Sequence, residues 1–202
     1  MSTESKTRPY RKRRRAEQEE ATRLRITEAA VDLHGSLGPA RTTVSGVAER
    51  AGVQRATVYR HFPDEEALFA ACSSHWEMLN PPPDPTAWGE VTDPERRLRL
   101  ALAELYAWYG PNERMLENVT RDLPLVPAMR GPVEEFGRFY GAAAEALLRG
   151  RRERGARRRR VAAAIGHGLA FDTWRSLVRD QGLSADEAVE LIADLVDCAS
   201  RA

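Results

Sequence analysis

The stretch QRATVYRH, residues 54–61, combines amide, guanidinium, hydroxyl and imidazole side chains. Gln54 can make a two-point contact to adenine, and Arg55 can make one to guanine. The methyl groups of Ala56 and Thr57 can contact the methyl group of thymine. The hydroxyls of Thr57 and Tyr59 and the imidazole of His61 are suited to contacts with DNA phosphates. A helix carrying these residues could therefore read base edges in the major groove.

Two short helices joined by a tight turn are expected to position this stretch. Apolar residues recur at helical spacing from residue 44 to residue 51, and the hydroxyl of Thr43 can cap the first turn. Gly52 ends that helix, because glycine adopts the positive φ that a helix C-terminus requires. The pattern predicts a helix-turn-helix motif, whose second helix enters the DNA groove. The alternative is a small helical corner of a larger core.

Residues 20–75 resemble the DNA-binding domain of TetR-type transcriptional regulators. The resemblance is carried by TVSGVAERAGVQRATVYRHFPDEEALF, in which the AGV turn, the TVYRHF helix and the following ALF are in register. It implies an all-α homodimer with an N-terminal helix-turn-helix domain and a larger C-terminal domain for ligand binding and dimerisation. It also implies a set that faces the groove, namely Ser45, Gln54, Arg55, Ala56 and Tyr59, and a set near phosphates, namely Thr43, Thr57 and His61.

Three positions depart from the family pattern. Gln54 stands where a smaller polar cap is usual, and glutamine caps a helix less well. Gly46 lies inside a helix and costs up to about 1 kcal/mol relative to alanine. Glu65 stands where members commonly have a phosphate-binding lysine. We therefore expect the helix that follows the motif to contact phosphate poorly.

Charge is distributed unevenly along the chain, although the formal net charge is only +1. Residues 1–15 contain seven cationic side chains and one anionic, whereas residues 16–80 contain six cationic and ten anionic. DNA repels an acidic surface, so residues 1–15 are expected to form a basic arm, disordered without DNA, that contacts phosphates or the minor groove. The candidate contacts are Arg11, Arg13, Arg14 and Arg15. The alternative is a solubilising tail.

The remaining chain is predicted to be helical, since no alternating pattern indicates strands. The predicted domains are the arm (1–15), the helix-turn-helix domain (16–80), a proline-rich connector (81–92) and a helical domain (93–202). The predicted helices cover about 16–36, 44–50, 54–61, 63–80, 93–110, 112–123, 133–148, 158–181 and 184–199. The last of these begins with a capping box formed by Ser184 and Glu187. Residues 149–160 are expected to form a solvated basic loop.

Tyrosine and tryptophan are more frequent in the C-terminal part than a helical core needs, and their polar ends require partners. This excess predicts a binding pocket for a medium-sized, largely apolar or aromatic molecule. The pocket candidates are Tyr106, Trp108, Tyr109, Met115, Asn118, Phe136, Tyr140, His167, Phe171 and Trp174. Each of these side chains also fits an ordinary core.

No catalytic or metal-binding spacing is present. The four histidines lie on separate predicted helices, and the chain has neither His-x3-His nor Cys-x2-Cys nor a glycine-rich phosphate or dinucleotide motif. We therefore predict no enzyme activity, no cofactor and no metal. Cys72 and Cys198 fit small buried residues rather than a disulfide framework. No transmembrane run or signal peptide is found, which predicts a cytoplasmic protein.

These features predict a ligand-responsive transcriptional regulator, a repressor that binds a palindromic operator as a dimer and is released by a small effector. The dimer is expected to form through the last two helices, because the helix at 158–181 has two apolar faces that need cover. The resemblance implies that the helix beginning at Pro63 links effector binding to operator spacing. The alternatives are an architectural DNA-binding protein without a ligand and, more remotely, an all-α enzyme.

Overall fold

The computed structural model describes residues 7–201, and its regular structure is helical, with no strand in this part of the chain. The all-α prediction is confirmed. The helices are α1 (Thr7–Ser36), α2 (Val44–Ala51), α3 (Arg55–His61), α4 (Glu65–Leu79), α5 (Pro85–Gly89), α6 (Pro94–Asp122), α7 (Arg130–Leu148), α8 (Gly155–Leu169), α9 (Phe171–Arg175) and α10 (Ala185–Arg201). Short 3-10 turns occupy Pro39–Arg41, Leu123–Leu125 and Pro127–Met129, and a π turn occupies Ser176–Asp180.

The chain forms two compact units. One unit consists of the chain up to Leu79 together with Glu117–Pro132, and the other consists of Asn80–Leu116 and Val133–Ala202. The first 23 residues of α6 therefore belong to the C-terminal unit, while its last six belong to the N-terminal unit. The predicted domain ranges did not include this return of the chain, because a contact between distant segments leaves no local pattern.

In the N-terminal unit, α1 packs against α2 and α4. The core is largely apolar and buried, and it includes Ile26, Ala30, Val47, Val58, Phe62, Leu68 and Phe69. Burial of side chains of this size stabilises a fold by about 1.5–3 kcal/mol each, so this core holds the short helices α2 and α3 in place. Helices of seven or eight residues are not stable alone in water, and they depend on that packing.

Helix α1 begins at Thr7, well before the predicted start at Ala16 or Glu20. Pro9 lies in the first turn, where its missing N–H costs nothing, and the arginine and glutamate residues that follow favour helix. The pairs Arg13–Glu17 and Arg15–Glu19 add support between successive turns. The prediction of disorder is therefore wrong for residues 7–15, and residues 1–6 lie outside the described part of the chain.

Helix α6 continues through Pro111, where a break was predicted. Proline frees the carbonyls of the preceding turn, and the side chain of Asn112 donates to one of them, the carbonyl of Trp108, at 2.9 Å. Tyr109 and Leu116 are buried on either side of Pro111. Tertiary packing of both flanks thus outweighs the local cost of the proline.

The predicted helix at 158–181 is interrupted at Ala170, whose φ of −69° and ψ of 135° are extended. The last carbonyls of α8 lose their helical partners at this break and are bonded by two tyrosines. The hydroxyl of Tyr106 donates to the carbonyl of Gly168 at 2.8 Å, and that of Tyr109 donates to the carbonyl of Leu169 at 2.5 Å. No residue type near position 170 predicts the break, because the tyrosine hydroxyls that stabilise it lie on α6.

Other local predictions have mixed outcomes. The capping box is confirmed, since the Ser184 hydroxyl accepts from the Glu187 N–H at 3.2 Å and the Glu187 carboxylate accepts from the Ser184 N–H at 2.8 Å. Helix α4 starts at Glu65 and not at Pro63, because Asp64 caps it by accepting from the Ala67 N–H at 2.7 Å. Cys72 is buried as predicted, whereas Cys198 is exposed.

The basic loop is not solvated throughout. Arg151 is buried and pairs with Glu95 at 2.8 Å, and its guanidinium also donates to the carbonyl of Leu147. The buried Arg97 donates to the carbonyls of Ala146 and Arg149 at 2.6 and 2.9 Å. These two arginines therefore donate to the otherwise unpaired carbonyls at the C-terminal end of α7. A run of arginines in the sequence does not predict such contacts.

Candidate nucleic-acid interface

The predicted helix-turn-helix is confirmed in residues 43–61. The Thr43 hydroxyl accepts from the N–H of Gly46 at 3.0 Å and caps α2. Gly52 adopts φ 65° and ψ 39° between α2 and α3, the left-handed conformation that glycine takes without strain. Local chemistry thus fixes both ends of α2, and α3 starts three residues after the turn.

Helix α3 presents the predicted base-reading residues to solvent. Gln54, Arg55, Ala56 and Tyr59 are exposed, and Gln54 makes no side-chain capping bond, so its amide is not engaged at the helix start. The Arg55 guanidinium donates to the Tyr59 hydroxyl at 3.1 Å and lies 5.5 Å from the centre of its ring. These residues have the chemistry for major-groove contacts, and their DNA-binding role stays a prediction.

Two buried side chains and one arginine hold α3 from behind. Val58 and Phe62 are enclosed by the core. The guanidinium of Arg23 on α1 donates to the carbonyl of His61 at 2.8 Å and lies 4.2 Å from the centre of the Phe62 ring. Sequence reasoning missed Arg23. The available signal was its spacing from Ile26 and Ala30, which puts a cation on the buried face of α1.

The residues predicted near phosphates are placed differently from one another. Thr43 and Ser45 are exposed at the start of α2, whereas Thr57 is half-buried. The Nε2 atom of His61 is buried and has no hydrogen-bond partner in the described structure. The Nε2 atom is therefore not placed for a phosphate contact, and such a contact by His61 remains a prediction.

The four arm arginines lie exposed on the first turns of α1. Arg13 and Arg15 pair with Glu17 and Glu19 at 2.9 and 3.1 Å, whereas Arg14 lies 5.8 Å from the ring centre of Tyr10. Arg11 is also exposed. Exposed pairs of this kind contribute less than about 1 kcal/mol, so phosphates can compete for both arginines.

The start of α4 is negatively charged, as the sequence indicated. Asp64, Glu65 and Glu66 are all exposed there. Carboxylates at this end favour the helix, because they face the positive end of its dipole. The resemblance predicts a phosphate contact at this place, and the structure presents carboxylates there.

Most of the predicted pocket residues form one aromatic cluster in the C-terminal unit. The Tyr109 ring centre lies 5.7 Å from that of Trp108, 5.4 Å from that of Phe171 and 5.7 Å from that of Trp174. Phe136 joins the cluster 6.0 Å from Trp108 and 5.1 Å from Tyr140. The buried Tyr106 borders it, 6.2 Å from Tyr109.

Three candidates stand apart from this cluster. Asn118 belongs to the N-terminal unit, where its amide donates to the carbonyls of His34 and Gly35. His167 is exposed, and its Nδ1 lies 3.2 Å from the Thr173 hydroxyl. Met115 is half-buried, near the end of the part of α6 that belongs to the C-terminal unit. The expected grouping therefore fails for Asn118, whose polarity serves a contact between distant segments.

The polar ends of the clustered tyrosines bond to one another and to the backbone. The hydroxyls of Tyr109 and Tyr140 lie 2.8 Å apart, and Tyr109 also bonds to the carbonyl of Leu169. Burial raises the pKa of Tyr106, Tyr109 and Tyr140, so all three are neutral hydrogen-bonding groups at physiological pH. The break after α8 thus explains part of the tyrosine content.

Metal and membrane sites are absent from the described residues. No group of three or more His, Cys, Asp or Glu side chains among them is arranged to hold a metal ion. Within residues 7–201, no helix combines the length and apolar character needed to cross a membrane.

The fold and the exposed face of α3 define an all-α protein with a helix-turn-helix DNA-binding domain. Residues 26–72 match the family described as bacterial regulatory proteins, tetR family. The regulator TtgR of Pseudomonas putida is 42% identical over 59 residues, which span 29% of this chain and 28% of TtgR. Residues 26–72 are therefore similar to the DNA-binding domain of tetR-family regulators, and the chain spans less than a third of the length of the curated relative it matches.

Solved structures extend the likeness over most of the chain. NalD of Pseudomonas aeruginosa, the secondary repressor of the MexAB-OprM multidrug efflux pump, has 25% identity and a TM-score of 0.58, with 91% of this chain and 97% of NalD covered. The fatty acid degradation regulator FadR of Bacillus halodurans has 19% identity and a TM-score of 0.61, with 86% and 93% covered. At that identity FadR supports the fold alone.

Proposed function

We propose that this chain is a transcriptional repressor that binds a palindromic DNA operator as a homodimer and is released by a small effector. The observation that carries the proposal is the row of Gln54, Arg55, Ala56 and Tyr59, exposed on a helix whose opposite face is buried. Such a helix can enter the major groove while its core keeps it rigid. The likeness to NalD, a repressor, supports repression over activation.

The last helix supports a dimer. Leu191, Leu195 and Cys198 recur at helical spacing on α10 and are exposed in the single chain, although α10 also buries a full apolar face inside its own unit. Apolar side chains aligned on one outward face form a stripe that a partner helix could cover. On α8 the exposed Ala163 and Gly166 leave room for close helix approach. A two-fold dimer would carry two copies of α3 and so favour a palindromic site.

The aromatic cluster supports an effector of medium size and largely apolar or aromatic character. Aromatic rings with a few convergent polar groups are typical of small-molecule sites, and here the polar groups are the paired hydroxyls of Tyr109 and Tyr140. The break at Ala170 and the adjacent π turn give the wall of the cluster a segment that can rearrange.

The proposal is tested in two stages. Duplexes are first selected from a randomised pool by the full-length protein, and a repressor of this class should enrich two inverted half-sites about one helical turn apart or a multiple of it. A thermal-shift screen of apolar and aromatic compounds then identifies binders, and these should lower affinity for the selected duplex. Binders that stabilise the protein but leave DNA affinity unchanged would contradict effector control.

A further inference from the structure

The segment that leads from α7 into α8 carries a concentration of positive charge that the proposed function does not use. Residues 152–160 contain six arginines and one glutamate. All six arginines are exposed, and none of them forms an ion pair with a carboxylate among the described residues. Elsewhere Arg13, Arg15 and Arg50 each pair with an acidic side chain. Because crowded like charges repel one another, a bound anion would stabilise this segment.

Four of these arginines line an open cleft of about 710 Å³ within the C-terminal unit. Arg152 and Arg154 precede α8, whereas Arg157 and Arg160 lie three residues apart on one face of it. Arg154 also donates to the carbonyls of Arg152 and Glu153 at 3.1 and 3.0 Å, which holds its side chain against the backbone. A cleft of this size accommodates a small molecule, whereas a merely solvated basic surface needs no concavity.

Glu153 gives the same cleft a group of the opposite kind. It lines the cleft beside the four guanidinium groups, and its Oε2 atom is buried without a hydrogen-bond partner in the described structure. A buried acceptor that lacks a donor costs free energy, and a ligand hydroxyl or amino group would remove that cost. The cleft is therefore suited to a molecule that combines negative charge with a hydrogen-bond donor.

We propose that this cleft binds a phosphate ester with several negative charges and a hydroxyl or amino group, which is the chemistry shared by nucleotides and phosphorylated sugars. Guanidinium groups bind phosphate oxygens in pairs, and the four arginines supply them from two directions along the chain. Glu153 accepts from the sugar or the base. The positive end of the α8 dipole adds to the attraction, since no side chain caps this helix.

This anion site goes beyond the proposed function. It shares no residue with the aromatic cluster proposed for an apolar effector, and its existence does not depend on DNA binding. Calorimetric titration of the full-length protein at low salt without divalent cations tests it. The probes are adenosine triphosphate, fructose bisphosphate and inorganic triphosphate, the last of which has comparable charge but no sugar hydroxyl or base amino group.

Two double variants separate a built site from diffuse attraction. The cleft variant combines Arg157→Gln with Arg160→Gln. The matched control combines Arg158→Gln with Arg159→Gln, which removes the same charge from the same turns of α8 at exposed positions that do not line the cleft. Any binding at the arginines of α1 is common to all of these proteins. All four substitutions are at exposed positions, so both variants should fold as wild type does.

Wild type and the control should bind one of the two phosphate esters, and the tighter of them identifies the source of the ligand. The cleft variant should bind that ester at least about tenfold more weakly than the control does, because two charge-assisted contacts are lost. Equal weakening in the two double variants would mean diffuse attraction and would overturn the site. Failure of wild type to bind either ester would overturn it as well.

Glu153→Ala tests the donor that the ligand must carry. Removal of the carboxylate reduces repulsion, so inorganic triphosphate should bind this variant more tightly than it binds wild type. The preference for the phosphate ester over inorganic triphosphate should nevertheless fall about fivefold, since the ester loses its acceptor. An unchanged preference would contradict the assigned role of Glu153 and the ester chemistry with it.

A random DNA duplex titrated into the same proteins distinguishes a small molecule from nucleic acid. A cleft variant that loses duplex affinity, in a protein whose wild type binds no phosphate ester, would overturn the small-molecule site in favour of a DNA surface. These outcomes are separate from the proposed function, because selection of an operator by wild type does not depend on any of them.

Discussion

The guanidinium of Arg55 donates to the hydroxyl of Tyr59 one turn further along α3, with 3.1 Å between nitrogen and oxygen. Both side chains are exposed. It holds two groups with different DNA-binding chemistry on one face of the helix, since arginine reads guanine whereas a phenolic hydroxyl suits phosphate. We therefore assign different roles to Arg55 and Tyr59, and these roles can be separated by mutation.

Arg55→Ala should relax the base preference at one position of each half-site and weaken binding to the selected duplex by about 1–3 kcal/mol. Tyr59→Phe should weaken binding to selected and random duplexes alike, because it removes a hydroxyl contact to a DNA phosphate. Arg60→Ala, which removes an exposed arginine of the same helix outside the predicted set, is the control. An unchanged ratio of selected to random affinity in Arg55→Ala would show that another face of α3 reads the bases.

The N-terminal arginines should control the salt dependence of binding. Each phosphate contact contributes about 0.9 to the slope of log K against log salt. Replacing Arg11 and Arg14 with glutamine should reduce that slope by about 2 on any sequence, and deleting residues 1–15 should reduce it further. The matched variant Glu17→Gln with Glu19→Gln frees Arg13 and Arg15 from their partners and should strengthen binding. An unchanged slope after deletion would leave the segment as a solubilising tail.

Glu65→Lys tests the acidic start of α4. The substitution replaces an exposed anion with a cation, so binding should strengthen on selected and random duplexes while the preferred sequence stays the same. Fluorescence anisotropy on both duplexes measures the effect. A change in the preferred sequence would mean that position 65 contacts bases and not phosphate.

The sequence allowed the helix-turn-helix to be predicted nearly in full, because its determinants are local. The cap at Thr43, the left-handed Gly52 and the capping box at Ser184 each depend on residues within one turn. The errors share a different physical origin. Continuation of α6 through Pro111 and the break at Ala170 are both decided by packing and hydrogen bonds from distant segments.

The same distinction applies to the candidate site. The exposed row on α3 follows from helical periodicity. Arg23, in contrast, supports that helix by donating to the carbonyl of His61, which lies 38 residues further along the chain. Asn118 was assigned to the pocket because its residue type suits a ligand. Its amide instead bonds to the carbonyls of α1, and spacing along the chain contains no information about that contact.

His34 should make the stability of the N-terminal unit depend on pH. Its ring stacks on Phe69 with 4.7 Å between centres, and burial lowers its pKa from 6.5 to about 4. The unfolded chain therefore takes up a proton near pH 6.5 while the folded chain stays neutral, so stability is full above pH 6.5 and falls between pH 6.5 and 4. The loss by pH 4.5 should be roughly 2–3 kcal/mol.

Comparison with His34→Phe isolates this effect, since phenylalanine can keep the stack and does not titrate. Urea unfolding of both proteins at several pH values gives the two profiles. The wild type should lose more stability than the variant as the pH falls below 6.5, even though carboxylates titrate in both. Parallel profiles would show that His34 is protonated as readily in the folded protein as in the unfolded chain.

Leu195→Asp should convert the proposed dimer to a monomer. Leu195 is 44% exposed on α10, and an aspartate would place a charge in the covered centre of the proposed interface. Leu100→Asp on α6 is the control, because Leu100 is similarly exposed at 38% outside α8 and α10. Sedimentation equilibrium at micromolar concentration distinguishes the states. A wild type that is already monomeric would contradict the dimer.

The central claim is that the exposed face of α3 gives this chain sequence-specific DNA binding. The most direct test is the affinity of wild type for its selected duplex relative to a scrambled duplex of equal length, measured from low to physiological salt. We predict a ratio of at least about 10³ at physiological salt, since specific binding depends less on counterion release than non-specific binding does. A ratio near one at every salt concentration would contradict it and would reduce the chain to a general polyanion binder.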